Sequence, residues 1–353
     1  MHQSEIIFFS VFVVSIIAFL LIDLLLIGKK EHIVSAKEAA IWSVIWISMA
    51  VAFGFFLKYH GELIHGISNY QDLEIVTKNY AENIKLIPGD YEESLRIFRN
   101  HQFLTYITGY LIEKTLSVDN LFVMMMILAG FGVRKESYKP VLFWGILGAI
   151  ILRSLFIFAG AALIHEFSWL LLVFGGFLVY SGIKMYVDRN KDEIIEPQNH
   201  RLVKFLSKNF LVYPRYVASR FFLRKNKKFY ITPLFIVLVL IEFSDLIFAF
   251  DSIPAIFAVT IDPYIVFFSN IFAILGLRAL FFLLIKVVDK FWLLKPGVSL
   301  LLIFIGFKLL FHNWLDFIGF KTVHSLIFIS FVLIFSIVFS LLFPRNEKEE
   351  IKL

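Results

Sequence analysis

Runs of roughly 20 apolar residues recur along this chain, and each is long enough to cross the hydrocarbon core of a bilayer as a helix. In lipid no water is available to the backbone, so only helices and closed barrels can span. The short alternating strands that mark a barrel are absent. Hydrophobic residues make up 59% of the sequence, with 43 phenylalanines, well above the usage of a soluble domain. The expected fold is an all-α polytopic membrane protein.

About nine transmembrane helices are expected: 6–27, 39–57, 103–130, 140–163, 168–187, 231–259, 263–287, 292–312 and 324–343. The chain then divides into two N-terminal helices (1–57), an external loop (58–102), three helices (103–187), a basic cytoplasmic loop (188–230), three more helices (231–312), and a last helix with a tail (313–353). Leu73–Val76 and Leu95–Phe98 can form short amphipathic pieces, but a solvated or interfacial loop is the expectation for 58–102. The N-terminus lacks the basic start and the cleavage site of a secretory signal, so the first span is expected to be retained.

Lysine and arginine lie in alternate connections, which orients the chain. They follow span one (Lys29, Lys30, Lys37), span three (Arg134, Lys135, Lys139) and span seven (Lys290, Lys295), and they fill 188–230 and the C-terminal tail. The opposite connections are poor in them, and 58–102 has five basic residues against seven acidic ones. The expectation is an N-terminus outside, a C-terminus in the cytoplasm and a location in the bacterial inner (plasma) membrane. The net charge of +6 is explained by this topology and is no sign of nucleic-acid binding. With no cysteine, thiolate metal sites and thiol catalysis are excluded. No nucleophile–base pair, phosphate loop or cofactor fingerprint marks an enzyme.

Two parts of the chain resemble each other. Gly148–Phe156 matches Ala273–Phe281, pairing Arg153 with Arg278 at an offset of 125, and Gly182–Met185 matches Gly306–Leu309, pairing Lys184 with Lys308 at an offset of 124. Spans three to five therefore repeat as spans six to eight. Three is odd, so the second copy crosses in the opposite sense, the inverted repeat of many secondary transporters. Further upstream two registers remain open: an offset of 129 pairs Glu113 with Glu242, and one of 126 pairs Asp119 with Asp245.

Five carboxylates interrupt these apolar segments: Glu113 and Asp119 in the third span, and Glu242, Asp245 and Asp251 in the sixth. An ionisable residue at membrane depth costs about 2.5–3.5 kcal/mol on insertion scales, so its default reading is functional. Glu242 and Asp245 share a helix face, whereas Glu113 and Asp119 do not on a regular helix. With Ser117, Asn120, Ser252 and Pro254 nearby, both helices are expected to be broken there, freeing carbonyls as ligands. Asn120, Ser252 and Asn270 are candidate secondary ligands or orienters, and Arg153, Arg278, Lys184 and Lys308 are candidate ion-pair partners. Hard oxygen donors favour Mg²⁺, Ca²⁺ and Mn²⁺ over Zn²⁺ or Cu⁺. Met124–Met126 reads as packing rather than as a soft-metal site. Several close acids that titrate together also open a route to proton exchange.

The motifs Glu113–Val123 (EKTLSVDNLFV) and Glu242–Ala255 (EFSDLIFAFDSIPA), with Phe257–Asp262, Ser269-Asn270 and Leu275–Arg278, resemble the TerC family of integral membrane proteins over about 103–312. The family takes its name from tellurium resistance. The resemblance implies export of Mn²⁺ from the cytoplasm as a transported ion, with no permanently bound cofactor and with Glu113, Asp119, Glu242, Asp245 and Asp251 as acidic site residues. The alternative is a stress-response or membrane-assembly partner without transport. On that reading the basic 188–230 stretch recruits a cytoplasmic protein or anionic lipid. Oligomeric state is not fixed by the sequence.

Overall fold

The computed structural model describes residues 3–27, 35–82, 84–167, 169–188, 201–285, 293–311, 314–315, 320 and 322–343. The expected basic residues Lys29, Lys30 and Lys290, and the tail beyond Phe343, lie outside the described residues. The protein is a helical bundle: α1 (Gln3–Ile27), α2 (Ala36–His60), α3 (Tyr70–Tyr80), α4 (Tyr91–Gly130), α5 (Tyr138–Glu166), α6 (Leu170–Asp188), α7 (Arg201–Asn209), α8 (Pro233–Phe257), α9 (Pro263–Leu275), α10 (Leu277–Leu284), α11 (Leu294–Leu310) and α12 (Thr322–Leu342). A two-stranded antiparallel hairpin, β1 (Phe222–Lys225) and β2 (Lys228–Ile231), precedes α8.

Among the described residues five helices are long and apolar enough to cross a membrane, or six if the bent pair α9–α10 is one span. α1 and α11 hold shorter apolar segments. α4 has 40 residues, a length of about 60 Å. It is not among those five helices.

Local sequence sets these boundaries. Thr232 and Asp262 cap α8 and α9, each followed by proline at the first helical position, where no backbone donor is needed. Ser35 caps α2, Asn69 caps α3 and Asp90 caps α4. The expected breaks in α4 and α8 are absent, because both helices run unbroken through 113–120 and 245–254. The hydroxyls of Thr115 and Ser117 donate to carbonyls of their own helix instead of opening it. Pro254 falls in the last turn of α8, where few later residues depend on the lost bond. The bend lies instead in the seventh expected span: α9 and α10 meet at Gly276 at 40°.

The 58–102 stretch is folded rather than an open loop. Its 3₁₀ turn, α3 and the first turns of α4 form a cap with its own small core of Ile67, Leu73, Ala81, Leu95 and Phe98. Arg99 grips Glu62 through two parallel bonds of 2.6 Å. The buried His65 Nε2 lies 2.8 Å from Asp262 Oδ2, tying the cap to the α8–α9 turn. At the opposite, basic end the Tyr216 hydroxyl donates to the Phe131 carbonyl at the end of α4.

α6 and α11 pack against each other more extensively than any other helix pair. Small residues let the backbones meet. A Cβ on Gly306 would lie 2.7 Å from the Gly175 carbonyl oxygen, and one on Gly182 would lie 2.8 Å from that of Ser299. Gly306→Leu should force the two helices apart and cost about 1–3 kcal/mol through overpacking. Thermal melting in detergent checks this against Gly176→Leu, since a Cβ at Gly176 meets open space. Equal melting temperatures for the two variants would contradict the close approach.

Candidate functional site

The charged centre of the bundle is built around Arg153 of α5, which is buried to 1% exposure. Its guanidinium forks onto Asp245 of α8, with Nε to Oδ2 at 3.0 Å and Nη2 to Oδ1 at 2.8 Å. Nη1 donates to Glu113 of α4 and, at 2.9 Å, to Asn270 Oδ1 of α9. The Asn120 amide, one turn past Ser117 on α4, donates to Asp245 Oδ1. Five side chains from four helices thus share one network, and Glu113, Asn120, Asp245 and Asn270 are all buried. Two carboxylates face one guanidinium, so the fully ionised network carries a surplus negative charge.

Several buried polar atoms in and beside this network have no partner among the described residues: Glu113 Oε2, Asn120 Oδ1, Asn270 Nδ2 and Ser252 Oγ. Buried polar atoms are normally paired, so a group of orphans marks a place where something else bonds. Glu113 and Ser252 also line a narrow cleft with room for about 10 Å³, together with Ser117, Arg153, Met185, Asp251 and Leu302. Asp251 Oδ1 accepts from Ser181 of α6 at 2.9 Å. Ser181 and Met185 flank or belong to the Gly182–Met185 tetrapeptide. The sequence signal was there: the matching tetrapeptide ends in Leu309, so a thioether stands where its counterpart carries a hydrocarbon.

The expected residues do not all converge. Glu242 is half-buried and outside the cleft; its carboxyl sits in a notch on α5 where any side chain at Gly148 would overlap it. Asp119 lies on α4, but its side chain is outside the described residues. Lys184 is exposed on α6, Arg278 is half-buried at the start of α10, and Lys308 lines a different cavity. Among the described residues no group of three or more His, Cys, Asp or Glu side chains can hold a metal. Of the five carboxylates read from the sequence, Glu113 and Asp245 share Arg153, and Asp251 lines a cleft with Glu113. Lys114, next to Glu113 and close enough to act on it electrostatically, donates to the Ala273 carbonyl at 3.2 Å, near the α9–α10 bend, and so brings a second cationic group beside the network.

A second cavity, of about 710 Å³ and open to solvent, lies at the cap end. Its walls include Lys78, Glu82, His101, His165, Thr260 and Lys308. His101 stands on the part of α4 outside the expected span. Burial pushes its imidazole down to about 4, against the pull of Asp262 and with a small push from Lys308.

Replacing Arg153 with methionine should cost about 3–5 kcal/mol, because two buried carboxylates lose their counter-charge. Adding Glu113→Gln and Asp245→Asn should restore most of that loss in thermal unfolding in detergent, and a triple variant as unstable as the single one would argue against the shared network. For His101, the unfolded chain takes up a proton near pH 6.5 and the folded chain only near 4. The contribution of the neutral ring is thus complete above about pH 6.5 and is lost as pH falls toward 4. His101→Phe should flatten the pH dependence of the melting temperature in that window.

The family model described as "Integral membrane protein TerC family" matches residues 98–348. An uncharacterized membrane protein of Myxococcus xanthus is 40% identical over 337 residues, covering 95% of this chain and 92% of its own length. A Photorhabdus laumondii protein named "Putative membrane-bound redox modulator Alx" is 42% identical over 300 residues, covering 85% of this chain and 84% of its own. An uncharacterized membrane protein of Rickettsia felis is 38% identical over 340 residues, covering 96% of this chain and 98% of its own. No solved structure matches the chain. By the extent of the family match and the identity to full-length relatives, this chain belongs to the TerC family of integral membrane proteins.

Proposed function

We propose that the protein is an inner-membrane secondary transporter, not an enzyme, that exports a divalent cation by alternating access, with Mn²⁺ as the substrate. The observation that carries this reading is the narrow cleft lined by Glu113, Asp251 and Ser252, where Glu113 Oε2 and Ser252 Oγ have no partner among the described residues. A surplus of negative charge in a membrane-embedded bundle is costly unless it meets a cation. On this reading the ion is met by the free oxygen of Glu113, by Asp251 and by Ser252. Arg153 holds Glu113 and Asp245 in register beside it. A partial ligand set suits a transported ion, which must leave as readily as it enters. Oxygen donors suit Mn²⁺, Mg²⁺ and Ca²⁺, and the Met185 thioether adds a softer donor that favours the transition-metal ion. On this reading, export is coupled to proton entry.

We read the transmembrane part as nine spans, α1, α2, α4, α5, α6, α8, α9–α10, α11 and α12, with the N-terminus outside and α4–α6 repeated in inverted sense as α8–α11. The α6–α11 contacts support the repeat. At an offset of 124, Gly182 corresponds to Gly306 and Gly175 to Ser299. The close approaches are Gly175 to Gly306 and Gly182 to Ser299, the reciprocal pattern of a two-fold contact. Substrate sites of inverted-repeat transporters lie at that interface.

The name of the Photorhabdus relative raises a redox role. This chain has no cysteine, so it has no thiol–disulfide chemistry of its own. A redox effect would follow from the ion it moves. Reconstitution in liposomes with a Mn²⁺-sensitive dye tests the transport reading. Asp251→Asn, Asp119→Asn and Glu113→Gln should each lower flux at least tenfold, and Met185→Leu should keep flux while narrowing the preference for Mn²⁺ over Mg²⁺. Unaltered flux in all three acid variants would favour an assembly or stress role without transport.

A further inference from the structure

We propose that the β1–β2 hairpin at the basic end is an anchor for anionic phospholipid, with its rings in the acyl boundary and its lysines on headgroup phosphates. This does not depend on the transport reading. The strand register places Phe222, Arg224, Phe229 and Ile231 on one face. Phe222 and Phe229 stack 5.4 Å apart, and Phe222 meets the Phe235 ring at 4.7 Å in the first turn of α8. Both hairpin rings remain about half exposed (47% and 60%). From Phe235 the line continues at i+4 spacing through Val239, Phe243 and Ile247, and the last two are exposed. The hairpin rings therefore extend the outer apolar flank of α8 to its interfacial end, a level where aromatic side chains are favoured.

The turn supplies a second, independent observation. Asn226 and Lys227 both have positive φ, 50° and 60°, as a two-residue type I′ turn requires. Asparagine suits the first place, but the second favours glycine, and lysine there costs stability. A cation held at a strained position points to a use for its charge. Arg224, Lys225, Lys227 and Lys228 are all exposed around the tip. Nearby, α7 offers exposed Phe205 beside Lys204 and Lys208, and Phe210 and Leu211 follow it, also exposed. Apolar surface interleaved with lysine and arginine is the composition of an interfacial membrane contact, and each cation near an anionic surface strengthens binding about fivefold.

The test titrates the purified full chain in mild detergent with phosphatidylglycerol or phosphatidylcholine and counts bound lipid by native mass spectrometry. Phosphatidylglycerol should bind more tightly. Lys227→Gly should weaken it about fivefold with no loss of melting temperature, since glycine suits the turn. The combined Lys225→Gln, Lys227→Gln, Lys228→Gln variant should bring both lipids to similar affinity. Equal affinity of the parent for the two lipids, or phosphatidylglycerol binding unchanged in the triple variant, overturns the proposal. Binding of polyglutamate as tight as that of phosphatidylglycerol would overturn it in favour of an acidic protein partner.

Discussion

One guanidinium in a low-dielectric interior organises the centre of this protein. Arg153 reaches Glu113, Asp245 and Asn270 at once, joining α4, α5, α8 and α9. None of these groups is tolerable there alone, since an unpaired buried charge costs several kcal/mol. The four helices must therefore pack so that the donors and acceptors meet, which makes the network a specifier of helix register as much as a source of stability. Two acids share the one arginine, with Lys114 beside Glu113 as a further cationic group. On the proposed transport reading, the cleft reached by Asp251 and Ser252 beside this network is where a cation would be met.

The rest of the bundle holds this centre in place. α6 and α11 close over it through glycines that let their backbones touch. At the cap end the His65–Asp262 pair ties a small folded unit to the turn that joins α8 to α9, the two helices bearing Asp245 and Asn270. Lys114, one residue from Glu113, reaches the carbonyl next to the α9–α10 bend. The interior charge network is thus connected to the cap end and to the one bent helix pair by short, buried contacts.

Apolar periodicity and the rarity of charge within it made the helical membrane fold legible from residue types alone. The same rarity singled out Glu113, Asp245, Asp251 and Arg153, because each is expensive enough to need a reason. The capping residues Thr232 and Asp262, with the prolines that follow them, placed the starts of α8 and α9. Less legible was 58–102, whose small core joins Ile67 to Phe98 across 30 residues that carry no long apolar run. The expected helix breaks failed because a hydroxyl can bond back to its own helix and a proline in a last turn disturbs little; neither outcome is encoded by residue type.

What the residues determined by themselves was therefore a matter of solvent: which segments belong in lipid, which connections carry positive charge, and which side chains are too polar to lie there without purpose. Partnership was decided only in three dimensions. Glu242 and Asp245 stand three apart on one helix, yet one enters the Arg153 network and the other rests in a notch at Gly148. Met185 joined the cleft, and Ser181 came to donate to Asp251 at its wall, because α6 packs on α8. Sequence carries the cost of burying a charge; the tertiary arrangement alone settles which neighbour offsets it, because a salt bridge or hydrogen bond acts over a few ångströms between segments that lie far apart along the chain.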